Sequence, residues 1–234
     1  MFKKILIANR GEISLRIMQT AKRMGISTVA VYSDVDEHSP HVSMADEAIF
    51  IGSASATNGY LSIERILDAA KKTNVDCIHP GYGFLSENSD FSDEVRRAGL
   101  TFIGPPSQAI HDMGSKDNAK SIMEKAGVPV LPGFSCVNKQ GSEIETAANT
   151  LGYPILLKAA NGGGGKGMRI VSKAGELAEA LNAASREAAA SFGNDRLIVE
   201  KCIDHPRHIE VQIFGDSHGN YIHLFERDCS VQRR

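Results

Sequence analysis

Apolar and polar positions along the first hundred residues fall into a regular succession of strand and helix patterns. Residues 4–8 (Lys-Ile-Leu-Ile-Ala) are almost continuously apolar, as a strand buried on both faces requires. Residues 12–24 then place Ile13, Ile17, Ala21 and Met24 on one helical face, and residues 28–32 return to β-branched and aromatic side chains. The unit recurs as a short strand at 48–51, a helix at 63–72 with Ile63, Ile66, Leu67 and Ala70 inward, and a strand at 77–79. A helix at 91–98, stopped by Gly99, and a strand at 101–103 complete it. Such alternation predicts an α/β fold with a doubly wound parallel sheet.

Gly104-Pro105-Pro106-Ser107 breaks this rhythm, and a helix starting at 115–117 runs to about Ala126. The stretches 127–129 and 131–133, rich in Gly and Pro, lead into a smaller unit. Its pattern predicts a helix at 144–151, a strand-loop-strand over 153–171, an alanine-rich helix at 174–190 and a strand at 197–201. Residues 207–214 and 221–226 then read as a β-hairpin about the turn formers of 215–220. The expected domains are 1–112, a connecting helix and linker at 113–133, a lid subdomain at 134–204, and the start of a further sheet at 205–234.

Composition narrows the function classes. With 234 residues, 42% hydrophobic, the chain is globular and long enough for more than one core, and a net charge of −2 gives no electrostatic footprint for nucleic acid. No apolar stretch approaches the roughly 20 residues that cross a bilayer. Met1 leads straight into a strand pattern, which leaves no room for a signal or transit peptide, so a cytoplasmic location is expected. Cys77, Cys136, Cys202 and Cys229 are scattered without a CxxC pair, which suits reduced thiols. The HxxH pairs His38/His41 and His205/His208 lack neighbouring Cys or a helix to aim them, so no zinc is expected.

Residues 153–171 read YPILLKAANGGGGKGMRIV. Glycine has no Cβ to obstruct close approach, so backbone N–H groups of such a loop can wrap an anion, with Lys158 and Lys166 supplying charge at its ends. A P-loop does not fit, because Gly167 follows Lys166 where Ser or Thr should stand and Ala160 replaces the first glycine. Nor does a dinucleotide fingerprint, since the β-prone 168–171 follows in place of a long helix. Two roles remain, a lid over polyphosphate or a surface hairpin. Lys116 at a helix start and Glu200 at the end of an apolar strand, read singly, are solvated surface charges. In series with the loop they supply cations for several phosphates, and the strand with 201–203 supplies a carboxylate and free backbone groups for an adenine edge.

Asp34 follows the second strand as a ribose-binding acid would, but the first turn, Asn9-Arg10-Gly11-Glu12, lacks the three glycines. The first domain is therefore Rossmann-like in topology only. The turn at 79–88 (HPGYGFLSEN) sits where open α/β sheets place ligands, and it fits equally a tight turn whose Ser86 or Asn88 caps the next helix.

Several longer motifs go further: IANRGEI at 7–13, HPGYGFLSEN at 79–88, FIGP at 102–105, MGSK at 113–116 and KAGVPV at 125–130, then GYPILLKA, GGGGKGMRIV, PRHIEVQ and FERDCSVQRR. Along essentially its whole length the sequence resembles the N-terminal part of the biotin carboxylases, which are ATP-grasp enzymes. Within that family it is most like the biotin-carrying subunits of acyl-CoA carboxylases, the methylcrotonyl-CoA type in particular. The IANRGEI and HPGYGFLSEN stretches argue against other ATP-grasp ligases. The resemblance implies a partial ATP-grasp fold after the Rossmann-like domain, with a lid subdomain and the start of a C-terminal sheet. It implies that Lys116 and Lys158 bind ATP phosphates, that Gly164 and Gly165 lie over the terminal phosphates, and that Glu200, Lys201, Cys202 and Ile203 line the adenine pocket. His208 would lie on the ribose or phosphate side and Gln232 near the nucleotide.

The implied reaction joins bicarbonate to the γ-phosphate of ATP and then carboxylates N1 of a carrier-bound biotin, with Mg2+ or Mn2+ required. The implied partners are a biotin carboxyl carrier domain, a carboxyltransferase subunit and, in the intact enzyme, a second copy as a homodimer. In the family the acidic metal ligands, the general base for bicarbonate and the arginine that stabilises the biotin enolate lie beyond the position of Arg234. No catalytic or metal residue is therefore assigned here, and the expectation is a fragment that does not turn over and leaves 207–228 as a sheet with an open edge. A nucleotide-binding remnant without catalysis is the alternative.

Overall fold

The computed structural model describes residues 1–55, 58–161 and 167–231 and divides into two units, Met1–His111 and Asp112–Arg234. In the first unit, β1 (Lys4–Ile7), α1 (Gly11–Arg23), β2 (Ser27–Ser33), α2 (Pro40–Met44), β3 (Glu47–Gly52), α3 (Ile63–Thr73), β4 (Cys77–His79), α4 (Ser89–Arg97) and β5 (Thr101–Phe102) follow in order. The strands form a parallel sheet in the order β3-β2-β1-β4-β5. β1 shows why its sequence has no polar alternation: Leu6 joins Ile66, Phe91 and Val95 in the core beneath α3 and α4, whereas Ile5 and Ile7 join Ile13, Ile17 and Met18 beneath α1. Each side chain so buried is worth about 1.5–3 kcal/mol of transfer free energy.

The helix ends follow local chemistry. Ser62 caps α3 by accepting from the Arg65 N–H, and the helix stops at Asn74 in the left-handed region at φ 50°. Gly99, at φ 77°, closes α4, with its own N–H and that of Leu100 bonded back to the carbonyls of Arg96 and Val95. α2, with a single buried side chain, is too short to show a period, and the sequence pattern missed it. α5 (Ser107–Gly114) was missed as well; its Ile110 packs into the first unit's core.

The second unit contains α6 (Lys116–Lys125), β6 (Gly133–Ser135), α7 (Gly141–Leu151), β7 (Ile155–Ala159), β8 (Arg169–Val171), α8 (Leu177–Phe192), β9 (Leu197–Lys201), β10 (Ile209–Gly215) and β11 (Tyr221–Asp228). Four strands form an antiparallel sheet ordered β6-β9-β7-β8. α7 and α8 cover one face through Ile144, Ala148, Ala184 and Ala188, packed on Ile155, Leu157, Val171 and Val199. A 3-10 turn takes up Ala174–Glu176, so α8 begins three residues after the sequence pattern suggests. β10 and β11 make a separate two-stranded sheet whose apolar side chains stand in solvent, Ile213 at 64% and Phe225 at 72% exposure.

Candidate functional site

The face of the four-stranded sheet opposite α7 and α8 carries Lys158 and Glu200. β7 turns Ile155, Leu157 and Ala159 toward the helices, so Leu156 and Lys158 take the other face. β9 does the same with Leu197 and Val199, leaving Ile198 and Glu200 beside them. The register sets Glu200 opposite Leu156 and Ile198 opposite Lys158, so Glu200 and Lys158 lie on a cross-strand diagonal that a lysine stem spans.

Lys158 Nζ donates to Glu200 Oε2 at 2.5 Å, and Lys120 Nζ, from α6, donates to Oε1 at 2.8 Å and to the Leu131 carbonyl at 2.7 Å. The Glu200 side chain is only 8% exposed, which corrects its reading as a solvated charge. Burial pushes its carboxyl up, but hydrogen bonds from the two ammonium groups, with their charges, outweigh that and hold it below its ordinary value. Two cations on one buried anion leave one positive charge in excess.

α6 is moored to the same place. The Lys116 N–H donates to the Ala160 carbonyl at 3.1 Å, Arg196 donates to Asp117 at 2.6 Å, and the Ala160 N–H donates to the Arg196 carbonyl at 2.8 Å. The first turn of α6 therefore sits where β7 ends and the glycine run begins. At the far end of that run the Gly167 N–H, at φ 70°, donates to Glu187 Oε1 at 3.0 Å, and Arg169 pairs with the same carboxylate at 3.2 Å. Gly164, Gly165, Lys166 and Gln232 lie outside the described residues.

The structure thus joins Lys158 to Glu200 and moors the Lys116 backbone at Ala160, two residues beyond Lys158. Lys201 Nζ donates to the carbonyls of Gly152 and Tyr153, and its N–H and that of Cys202 are bonded to the carbonyls of Pro132 and Pro154. These two N–H groups are not free for an adenine edge. Ile203 is exposed, and His208 stands at the foot of β10, its N–H donating to Ser230 Oγ and its carbonyl accepting from Cys229. Lys120 escaped the sequence reading, although its place four residues after Lys116 on one helix was a signal for it. A cavity of about 720 Å³ opens beside Lys120, lined also by Asp117, Leu131, Phe134 and Ile198, but Lys158 is not on its wall.

In the first unit the turn that begins at His79 bonds to Asn9 and to itself. Asn9 Nδ2, buried, donates to the carbonyls of Pro80 and Tyr82 at 2.8 Å each, and the Gly81 N–H donates to His79 Nδ1. A Cβ on Gly81, at φ 67°, would stand 2.7 Å from Asn9 Nδ2, so only glycine fits that turn. Asn88 accepts from the Phe91 N–H at 2.8 Å and caps α4. Asp34 is exposed; the buried acid is Asp36, which accepts from Tyr60 at 2.7 Å, Ser33 at 2.8 Å and Arg10 at 3.1 Å. Burial raises the Cys77 and Cys136 thiols to about 12 and about 11, so neither is a nucleophile at neutral pH.

Residues 1–110 match the model of the biotin carboxylase N-terminal domain, and residues 115–234 match the carbamoyl-phosphate synthase L chain, ATP binding domain. The chain belongs to the biotin carboxylase family. The methylcrotonoyl-CoA carboxylase subunit alpha of Dictyostelium discoideum is 58% identical over 231 residues, which is 99% of this chain and 33% of that protein. The biotin carboxylase domain of the Hydrogenobacter thermophilus 2-oxoglutarate carboxylase, solved as a dimer with MgADP, ADP and bicarbonate, superposes with a TM-score of 0.95 at 47% identity. That match covers 100% of this chain and 51% of the solved one. The Campylobacter jejuni biotin carboxylase, solved as a β-γ-ATP complex, gives a TM-score of 0.95 at 46% identity over 100% of this chain and 52% of its own.

The chain therefore spans about a third of that curated relative and about half of the solved structures. Its mixed α/β architecture, a five-stranded parallel sheet followed by antiparallel sheets, is that of the family. Lys116, Lys120, Lys158 and Glu200 all fall within the matched ATP-binding domain. Among the described residues no group of three His, Cys, Asp or Glu side chains gathers to hold a metal, and no helix is long and apolar enough to cross a membrane.

Proposed function

We propose that the chain is the ATP-binding, N-terminal part of a biotin carboxylase acting in an acyl-CoA carboxylase, and that Lys158 and Lys116 neutralise the phosphates of ATP. The supporting observation is the mooring of α6 at Ala160, which sets the start of that helix, at Lys116, at the end of the strand that carries Lys158, itself paired with Glu200. Phosphoryl transfer depends mainly on positioning and on neutralising charge, and an excess cation on a rigid sheet supplies both. In the whole protein a bicarbonate oxygen attacks the γ-phosphorus, ADP leaves, and the resulting carboxyl donor passes its carboxyl group to N1 of biotin.

Within this chain the assigned roles are to bind and orient. The glycine run with Gly164 and Gly165 is assigned to the terminal phosphates and the 200–203 segment to the adenine pocket, with His208 assigned to the ribose or phosphate side and Gln232 to the neighbourhood of the nucleotide. Residues 1–112 form the N-terminal domain, 113–133 the connector, 134–204 the lid and 205–234 the start of the C-terminal sheet. Mg2+ or Mn2+ would add charge neutralisation when bound, and its ligands are assigned to residues beyond Arg234. The proposed partners are a biotin carboxyl carrier domain, a carboxyltransferase subunit, bicarbonate and a second copy of the enzyme. Four free thiols suit the cytoplasmic location proposed, while the named Dictyostelium relative is mitochondrial.

The test is nucleotide binding by wild type and Lys158→Ala, with turnover followed in the full-length protein. Loss of a charge-assisted phosphate contact should weaken ATP binding by about 1.5–3 kcal/mol. Full-length protein should show bicarbonate-dependent ATP hydrolysis stimulated by free biotin, and the 234-residue chain alone should show none. Unchanged ATP affinity in Lys158→Ala would remove the phosphate assignment.

A further inference from the structure

The two lysines on Glu200 are held differently. Lys158 has Glu200 as its hydrogen-bond partner at 2.5 Å, whereas Lys120 is fixed twice, by Glu200 Oε1 at 2.8 Å and by the Leu131 carbonyl at 2.7 Å. Lys120 thus has an anchor that Lys158 does not share. This matters because Glu200 is buried, and a buried carboxylate stripped of its only counter-ion is strongly disfavoured.

Building on the assignment of Lys158 to phosphate, we propose that Lys120 is a positioning residue of the nucleotide site: it keeps Glu200 neutralised so that Lys158 can transfer from the carboxylate to a phosphate. Without Lys120, the phosphate would have to compete with a buried carboxylate for that carboxylate's sole cation. With Lys120 in place, each anion retains a cation after the transfer, Glu200 with Lys120 and the phosphate with Lys158. Lys120 also stands one helical turn beyond Lys116, so one helix that is moored at Ala160 presents both. Its effect runs through Lys158, so it should alter affinity for phosphate-bearing ligands and leave the bare nucleoside alone.

The experiment compares dissociation constants of ATP, ADP and adenosine by calorimetry on the full-length protein carrying Lys120→Met, Lys120→Arg, Lys158→Ala, Glu200→Gln or Lys120→Met with Glu200→Gln. Lys120→Met should weaken ADP and ATP about tenfold, the scale of one charged hydrogen bond, while adenosine binds as to wild type. Lys120→Arg should restore ADP affinity. The double variant should recover the ADP-to-adenosine affinity ratio of Glu200→Gln alone, because a neutral amide no longer retains Lys158. Unchanged ADP affinity in Lys120→Met, an equal loss for adenosine, or no recovery in the double variant each overturns the proposal. If Lys158→Ala itself leaves ADP affinity unchanged, the phosphate assignment falls first and this inference with it; if Lys158→Ala weakens ADP and Lys120→Met does not, only this inference falls.

Discussion

Among the described residues each unit buries one carboxylate, and the two are neutralised by different means. Asp36 receives two hydroxyls, from Tyr60 and Ser33, and one guanidinium, from Arg10, which also lies 5.6 Å over the Tyr60 ring. Tyr60 in turn stacks on Phe84 at 5.0 Å. Glu200 receives two ammonium groups on long flexible stems, each about a quarter exposed. The first arrangement is short-range, packed by aromatic rings and mostly neutral in its donors, so it fixes a loop. In the second, Lys120 is also held by the Leu131 carbonyl, and on the proposed reading it is the Lys158 ammonium that passes to another anion. Burial of a carboxylate does not by itself mark a ligand site; the exchangeability of its donors does.

Acid should separate the two units most sharply. Burial, assisted by the charge of Arg16, lowers His79 from 6.5 to about 4, and burial lowers His41 as well. Between those values the unfolded chain binds a proton that folded His79 refuses, so the first unit loses stability as pH falls from 6.5 to about 4, by up to about 3 kcal/mol. Glu200 behaves in the opposite sense: its folded value lies below the ordinary 4.5, so its contribution is complete above 4.5 and is lost only as pH falls through the depressed value. Hydrogen exchange at pH 7, 5.5 and 4.5 should show β1 and β4 amides losing protection while β7 and β9 keep theirs. Equal loss in both, or earlier loss in β7 and β9, would break the contrast.

Substitution sharpens the same contrast at smaller magnitude. Asp36→Ala strands the Tyr60 and Ser33 hydroxyls and the Arg10 guanidinium, and should cost about 2 kcal/mol in urea unfolding. Glu200→Gln should cost under about 1 kcal/mol, because both lysines reach solvent and rehydrate. The reverse order would mean that Glu200 is the structural anchor and Asp36 the exchangeable one.

The sequence displayed most of the fold wherever burial imposed a period. The continuous apolar run of β1 and the inward face of α3 were legible because both sides of one and one side of the other are covered. α2 and β6 were not, since five and three residues are too few to carry a period. At the site, Lys158 and Lys116 stood out by their position around the glycine run, and the register of β7 on β9 was hidden. That register is what joins Lys158 to Glu200 and draws in Lys120 from a helix with no buried residue. Asp34 drew attention by its place after β2, but the buried acid lies two residues on, where a 3-10 turn over Asp34–Asp36 swings the side chain inward.

The turn at 79–88 offers the finest test of whether the first unit uses its polar groups for structure. Asn88 Oδ1 accepts from the Phe91 N–H at 2.8 Å, which satisfies one of the first-turn N–H groups of α4 that has no partner within the helix. Phe91, fully buried and edge-on to Phe102 at 5.8 Å, transmits that cap to the core. Asn88→Ala should therefore cost about 1 kcal/mol, and Asn88→Ser or Asn88→Asp should restore most of it, because each keeps an oxygen at the same reach. Urea unfolding measures the loss, and hydrogen exchange at the first turn of α4 localises it. A loss that Asp and Ser both fail to restore would show that Asn88 is needed for its amide and not as a cap, and the first unit would then share the exchangeable polar character of the second.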